Sequence, residues 1–436
     1  MFSSNAIRVA AFAATSLLAA SASAQTGKPA EIKIGITTFL SGPASVFGVP
    51  AKAAADLYIE QINAAGGIKG AKLVPVYIDE GVGGDKFLSE YRRVVQEQGV
   101  KIMLGSISSG NCNTIAPVAE DLKVLNVMWD CGTEKVLEEK RYRYVVRSQA
   151  NATTEMVASV LYLLRTRPDF KTIAVVNQDY AYGRDSWELF RNTLMTLKPD
   201  TKIVAELFPK FGATDFSTEV SRLQALRPDV ILSTSWGGDL DTFMRQAAQR
   251  GLTRNALFVL PLAESSLERL GTVIPDGAIV GARGDHYFLH PELKDDPKLK
   301  GFVQKFKAKT GAYPIYSVHH MVQALDAVVA DYEKAIAAGK GQWPTTEQLA
   351  DTMHGLDFRG LTRHITIRED GQGLEDQLLG VAKKTAAYPF PVLDKMVIYP
   401  AALVTTPVGK KSPDWVKTLT PAVMKDAGIK AFPTLK

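Results

Sequence analysis

A serine-rich stretch, Gly105-Ser106-Ile107-Ser108-Ser109-Gly110-Asn111-Cys112, and a second polar stretch, Trp129-Asp130-Cys131-Gly132-Thr133-Glu134, each follow a short apolar run. Leu40-Ser41-Gly42-Pro43, with Phe47-Gly48 behind it, follows another. Such segments bring hydroxyls and backbone N–H groups to helix starts, a natural seat for a carboxylate. Later segments have a different character: Asn177-Gln178-Asp179-Tyr180-Ala181-Tyr182-Gly183, Thr234-Ser235-Trp236-Gly237-Gly238-Asp239 and Pro261-Leu262-Ala263-Glu264-Ser265-Ser266. Here Tyr182 and Trp236 supply flat rings suited to covering an apolar ligand body. Taken singly, Ser, Thr, Asp and Gly in such places cap helices and form turns. Several strand ends sharing one chemistry favour a binding site.

Covalent chemistry is harder to find. The serine-rich stretch does not fit G-x-S-x-G, and no partner histidine is evident. Gly81-Val82-Gly83-Gly84-Asp85 lacks the spacing of a dinucleotide fingerprint and reads as a turn. His286 and His290, with Asp285 beside them, could face a metal on a helix, but Pro291 favours a surface or hinge segment. His319 and His320 are adjacent, cannot both face one pocket on a helix, and read as packing and surface residues. With 6 histidines and no catalytic spacing, an enzyme is not expected. Neither a metal nor any other cofactor is expected.

The elements that position these segments alternate. Strand-like runs are Ile32–Thr37, Leu73–Ile78, Ile102–Leu104, Val124–Met128, Thr172–Val176, Lys202–Leu207, Val230–Ser233 and Leu257–Leu260. Most are nearly continuous in apolar and β-branched residues, as parallel strands covered on both faces require. Helical spacing occupies Ala51–Ala65, Lys86–Glu97, Thr154–Leu164, Gly183–Leu197, Phe216–Leu226 and Leu240–Gln249. This repetition predicts an α/β fold with right-handed crossovers. In open parallel sheets ligands bind beyond the carboxyl ends of strands, where the polar segments lie. The strand series runs to Arg147 and restarts at Thr172, with further crossings near Asp285 and Arg359, which predicts two hinged lobes.

Composition narrows the setting. The 46% hydrophobic content and the length allow two cores. A net charge of +5 without large basic clusters gives no reason to expect nucleic acid. Arg8, the apolar run Val9–Ala20 and Ala22-Ser23-Ala24 before Gln25 have the order of a secretory signal peptide over 1–24. No later run reaches the roughly 20 apolar residues of a membrane helix. A soluble periplasmic protein is expected. Cys112 and Cys131 follow presumed neighbouring strands, and outside the cytoplasm a disulfide is favoured over two buried thiols.

Ile34-Gly35, Ser41-Gly42-Pro43, Phe47-Gly48 and Ile62-Asn63-Ala64-Ala65-Gly66-Gly67-Ile68-Lys69-Gly70 form a specific set of motifs. Gly105, Tyr182-Gly183, Asp215-Phe216 and Met244-Arg245-Gln246-Ala247 continue it. The chain thereby resembles the periplasmic solute-binding proteins of ABC transporters, leucine/isoleucine/valine-binding type, over Glu31 to about Lys384. The resemblance implies a two-lobed type I periplasmic-binding-protein fold, each lobe a parallel sheet flanked by helices, joined by a three-crossing hinge. Residues 25–147 with 286–358 would form lobe 1, 148–285 with 360–386 lobe 2, and 387–436 an extension wrapping a lobe. It implies that the serine loop, Ser108 and above all Ser109, together with Cys131, Gly132 and Thr133, holds a ligand carboxylate. Phe47 would border the pocket, and Tyr182 and Trp236 would close it from the second lobe. Family members that bind α-amino acids place an acid after the strand matching Leu257–Leu260. Here Leu262 stands at that place without a gap, and Glu264 with one. Leaving an ammonium desolvated without an anion is costly, so Leu262 favours an amine-free ligand. Trp236, Phe47 and Trp129 then favour an aromatic or other apolar carboxylic acid, with branched-chain amino acids as the alternative. A monomer serving a membrane permease is expected; a ligand sensor and a secreted hydrolase are the rival classes.

Overall fold

The computed structural model describes residues 27–434. The expected signal peptide, 1–24, lies outside the described residues. The first sheet is assembled from β1 (Glu31–Thr38), β2 (Lys72–Asp79), β3 (Ile102–Leu104), β4 (Leu125–Met128) and β5 (Val145–Arg147). Their order is β2-β1-β3-β4-β5 and every pairing is parallel. All residues of β3 and β4 are buried, which explains their uninterrupted apolar character. The connections are α1 (Ser45–Ala64), α2 (Gly84–Gln98), α3 (Ser109–Leu122) and α4 (Lys135–Glu139). The serine-rich stretch is therefore the start of α3, with Ser108 at its N-cap.

The chain then enters a second sheet through α5 (Ala152–Thr166). Here β6 (Thr172–Val176), α6 (Ala181–Leu197), β7 (Lys202–Leu207), α7 (Ser217–Leu226), β8 (Val230–Leu232), α8 (Gly237–Gln249), β9 (Leu257–Leu260), α9 (Leu267–Leu270) and β10 (Ile279–Gly281) follow in turn. A return to the first lobe supplies α10 (Pro297–Thr310), α11 (Tyr316–Ala338) and α12 (Thr346–Met353). Next come β11 (Asp357–Arg359), β12 (His364–Ile367), β13 (Gly373–Leu374), β14 (Gln377–Thr385), β15 (Tyr388–Tyr399), α13 (Ala401–Val404), α14 (Ser412–Trp415) and β16 (Lys430–Ala431).

The second sheet runs β16-β15-β14-β10-β9-β8-β6-β7. Only β7, β6, β8, β9 and β10 are parallel; β14, β15 and β16 add to it antiparallel. The parallel sheet of the second lobe thus carries an antiparallel edge of three strands. β14 and β15 are sequential and joined by a tight hairpin, a connection that only antiparallel strands allow. For the same reason the segment from 387 onward does more than wrap a lobe, since it begins as the twelve-residue strand β15. Beyond β15 it reaches back to the first lobe, where the Ser412 N–H donates to Glu138 Oε2 of α4 at 2.8 Å.

Crossings between the sheets occur after β5, after β10 and between β13 and β14. The second lies near Asp285. The third comes later than Arg359, because β11 turns back on β12 and β13 as a small antiparallel sheet. Among the described residues no helix is long and apolar enough to cross a membrane.

Candidate functional site

Carboxyl ends of both sheets meet at one cleft. On the first-lobe side the dominant anion belongs to the protein itself. Glu80 is buried directly after β2, and its carboxylate accepts from Thr37 Oγ1 (3.0 Å), Ser106 Oγ (2.7 Å), the N–H groups of Ile107 (2.9 Å) and Ser108 (3.3 Å), and Asn111 Nδ2 (2.9 Å). Burial raises its pKa, and these donors oppose the rise. The loop amides read from sequence as a seat for a ligand carboxylate are therefore occupied by Glu80. Ser108 belongs to that internal network and does not reach the ligand space. Nothing in the local sequence around Glu80 signals this role, because it depends on a loop 26 residues downstream.

Ser109 is placed differently. Its Oγ accepts from the N–H groups of Gly132 (3.3 Å) and Thr133 (3.1 Å), so the α3 start and the loop after β4 form one unit. The Cys112–Cys131 disulfide joins the same two segments with Cα atoms 6.5 Å apart. Cys131 also donates its N–H to Ser106 O (3.0 Å) and accepts from Gln149 Nε2 (3.0 Å), which makes it a support rather than a contact residue. Thr133 faces the other lobe: its hydroxyl donates to Asp185 Oδ2 of α6 at 2.7 Å, beside the Lys135–Asp185 ion pair at 2.6 Å.

The cleft centre holds a cation that the sequence reading missed. Arg283, just past β10, is buried and donates from Nε to Glu155 Oε1 (2.9 Å), from Nη1 to Asp130 Oδ2 (3.1 Å) and from Nη2 to Asp130 O (2.9 Å). Burial alone would lower its pKa, but Glu155 and Asp130 hold it well above the usual value. Burial pushes the Asp130 carboxyl up to about 7 against the pull of Arg283. Tyr182 donates its hydroxyl to Glu155, and the guanidinium lies 5.5 Å from the Tyr182 ring and 5.2 Å from that of Tyr316. A second N–H on each Nη nitrogen completes the donor set and could grip a carboxylate end-on.

Around this cation stand Ile107, Ser109, Asp130, Gly132, Tyr180, Tyr182, Trp236 and Leu262, enclosing about 10 Å³. The lobes are closed here, and a ligand of benzoate size requires the second lobe to swing outward. Trp236 also lines an outer recess of about 130 Å³ with Phe39, Pro43, Gln178 and Phe211. Its Nε1 donates to Tyr180 Oη at 2.7 Å, and its ring meets Phe39, Phe47 and Phe211 at 5.4–5.9 Å. A recess of about 540 Å³ around Arg167, Asp229 and Asp276 is larger, but it lies at the amino ends of the second-lobe strands, away from this chemistry.

The structure brings Ser109, Gly132, Tyr182, Trp236 and Leu262 together around Arg283. Phe47 packs behind Trp236 and against Tyr316, one ring away from the space. Trp129 is a core residue, donating its Nε1 to Thr37 O at 3.0 Å. Glu264 is corrected as a ligand partner: its Oε2 accepts the Tyr316 N–H at 2.8 Å, capping α11 from the opposite lobe. The residue turned to the cleft after β9 is Leu262. The surface reading of the histidines is corrected as well, since His286, His290, His319 and His320 are all buried. Long α11 carries the last two beneath the hinge, a helix whose apolar pattern was not read from the sequence.

Closure rests on close backbone approach at one glycine. The Gly238 N–H donates to Pro43 O at 3.2 Å, and a Cβ at 238 would stand 2.9 Å from Pro43 Cβ and 3.1 Å from Pro43 O. Gly238→Ala should leave the helix itself intact, since alanine favours helix over glycine by roughly 1 kcal/mol. It should nevertheless hold the lobes apart. Small-angle scattering with ligand present is expected to show a more open particle than wild type, and ligand affinity should drop about tenfold, an energy of about 1.4 kcal/mol.

Comparison with known proteins places this geometry. The sequence profile of the family described as "Periplasmic binding protein" matches residues 31–386. The Leu/Ile/Val-binding protein of Citrobacter freundii is 24% identical over 343 residues, covering 75% of this chain and 89% of that one. A solute-binding protein of an ABC transporter from Rhodopseudomonas palustris BisB5, solved with 3,4-dihydroxybenzoic acid, superposes with a TM-score of 0.73 at 19% identity, covering 86% of this chain and 98% of that chain. Another from R. palustris, solved with benzoate, gives 0.71 at 16% identity, covering 83% and 95%.

Proposed function

The chain belongs to the periplasmic binding protein family, with its two-lobed type I fold, and from that premise we propose that this ABC-transporter solute-binding protein captures an aromatic or other apolar carboxylate by hinge closure. The observation that carries the proposal is Arg283 set among Tyr180, Tyr182, Trp236 and Leu262 at the cleft. A guanidinium among rings suits a planar acid, with its carboxylate on the cation and Ser109 and its body between rings. Closure is favoured because the ligand would touch both lobes and so stabilise the closed state more than the open one. No bond of the ligand is broken. Ser109 Oγ faces backbone amides rather than a base, which supports a binding role over hydrolysis.

One observation favours branched-chain amino acids as the second reading: Asp130 borders the cleft and could meet an ammonium. Its oxygens already serve Arg283 and His320, which weakens that reading. Export to the periplasm, a monomeric state and delivery to a membrane permease complete the proposal.

Thermal-shift screening of the protein against benzoates, aliphatic acids and amino acids tests it. A ligand at 100 times its dissociation constant stabilises by about 2.7 kcal/mol, so aromatic acids should raise the melting temperature clearly. Stabilisation by amino acids alone would overturn the proposal. Trp236→Ala should weaken the identified ligand by about 2 kcal/mol, roughly thirtyfold, in titration calorimetry. Unchanged affinity would remove Trp236 from the site.

A further inference from the structure

Three side chains from different parts of the chain converge behind Arg283, at the hinge. His286 follows β10 in the second crossing, Glu375 lies between β13 and β14 in the third, and His320 projects from α11 of the first lobe. All three are buried. One donor atom from each falls within 4.8 Å of the others. His286 Nε2 stands 2.6 Å from Glu375 Oε1, and His320 Nε2 stands 4.0 Å from Glu375 Oε2. We propose that His286, His320 and Glu375 form a binding site for one divalent transition-metal ion of the zinc class, pinning the hinge crossings to the first lobe.

Hydrogen bonding at the cluster supports a cation there. Among the described residues Nδ1 of His286 has no hydrogen-bond partner, and its Nε2 and Oε1 of Glu375 meet only each other, close in distance but off the angle of a hydrogen bond. Buried polar atoms are rarely left so. His320 Nδ1 faces Asp130 Oδ1 at 2.5 Å, the carboxylate–imidazole arrangement that orients a metal-binding histidine through its other nitrogen. His320 Nε2 lies 2.7 Å from the Arg283 carbonyl oxygen, a contact made by an Nε2–H that a bound cation would displace.

Charge counting agrees. Asp130 and Glu155 are paired with Arg283, whereas the ion-pair partners of Glu375 are the imidazoles of His286 and His320, and one divalent ion there would neutralise its carboxylate. Two imidazoles and a carboxylate are a common donor set for zinc, with the Arg283 carbonyl at hand for a further position. Backbone geometry is adapted to this crowding. Gly284 has φ +129°, and a Cβ there would lie 2.7 Å from His286 Cδ2 and 2.8 Å from Glu375 Oε2. Only glycine lets the crossing pass this close.

The test uses tag-free protein, first analysed for metal by mass spectrometry as purified, then stripped with chelator and titrated with Co²⁺ and Zn²⁺. Expected is uptake of about one equivalent, with visible d–d bands of low-symmetry cobalt and a rise in melting temperature. His286→Asn and Glu375→Gln should each weaken uptake at least tenfold, in line with loss of a ligand. His286→Asn is the safer variant for folding, because it keeps a polar amide beside the Glu375 carboxylate. His354→Asn with His364→Asn, nearer the surface, should leave uptake unchanged. Stripped wild-type protein that takes up well under one equivalent, or uptake that disappears with His354 and His364 instead, would overturn the site. A cluster held together by imidazolium protons alone would give that first outcome.

Discussion

Replacing Arg283 with methionine is expected to lower stability by roughly 3–5 kcal/mol, because it leaves Asp130 and Glu155 buried without their cation. For a protein of this size that corresponds to a fall in melting temperature of about 4–6 °C. Methionine replaces the stem of the side chain as far as Nε and adapts its packing, so most of the loss reports charge and hydrogen bonds rather than a cavity. Ligand binding should fall further than stability implies, since the carboxylate would lose a two-point partner whose truncation costs about 2–5 kcal/mol. Arg283→Lys separates the contributions. It keeps the positive charge against Glu155 and Asp130 but cannot reach both with a planar fork. Stability should recover in part while affinity stays at least tenfold below wild type in calorimetry. If the lysine variant binds as tightly as wild type, Arg283 is a structural counter-ion and the carboxylate sits elsewhere.

How much of this was legible in the sequence follows from the range of each interaction. The alternation of strand-like and helical runs placed the strands of both sheets up to β9, except three-residue β5, because periodicity is a local property. Its register with the ligand cleft came from a general rule about strand ends, which is why Ser109, Gly132, Tyr182, Trp236 and Leu262 were found together. The disulfide was legible for the same reason, since β3 and β4 are neighbours. Arg283, Glu80 and Glu155 were not legible. Each looks like an ordinary polar residue in its own segment, and each gains its role from partners up to 153 residues away. The histidines failed in the same way: α11 is so widely buried that both His319 and His320 face packed surroundings, which a one-sided helix would not allow. Antiparallel β14 and β15 escaped notice because proline and lysine in the segment suggested a loose tail, while tertiary pairing made it a sheet edge.

Glu264 gives the fold a marked dependence of stability on pH outside the Arg283 network. Burial pushes its carboxyl up to about 8 from an ordinary 4.5, with the Tyr316 N–H opposing the rise first and Arg269 second. Tyr316 reaches it from α11 and Arg269 from α9; Tyr287, from the second crossing, is the other titratable group that feels it, and burial keeps that phenol well above its usual value. Because the folded-state pKa lies above the unfolded one, the folded protein binds more protons between these values. Stability from this group is therefore complete below about pH 4.5 and is lost as pH rises through 8. A shift of this size corresponds to several kcal/mol at about 1.4 kcal/mol per pH unit. Glu264→Gln keeps an acceptor for the Tyr316 N–H and has no proton to lose, so its stability should not show this decline. Urea unfolding of both proteins from pH 5 to pH 9 should give curves that separate progressively in favour of the variant. Asp130, raised to about 7, titrates in both and cancels from the difference. Parallel curves would mean that Glu264 ionises normally in the folded protein, and that its carboxylate reaches water at the lobe interface instead of being sealed against the start of α11.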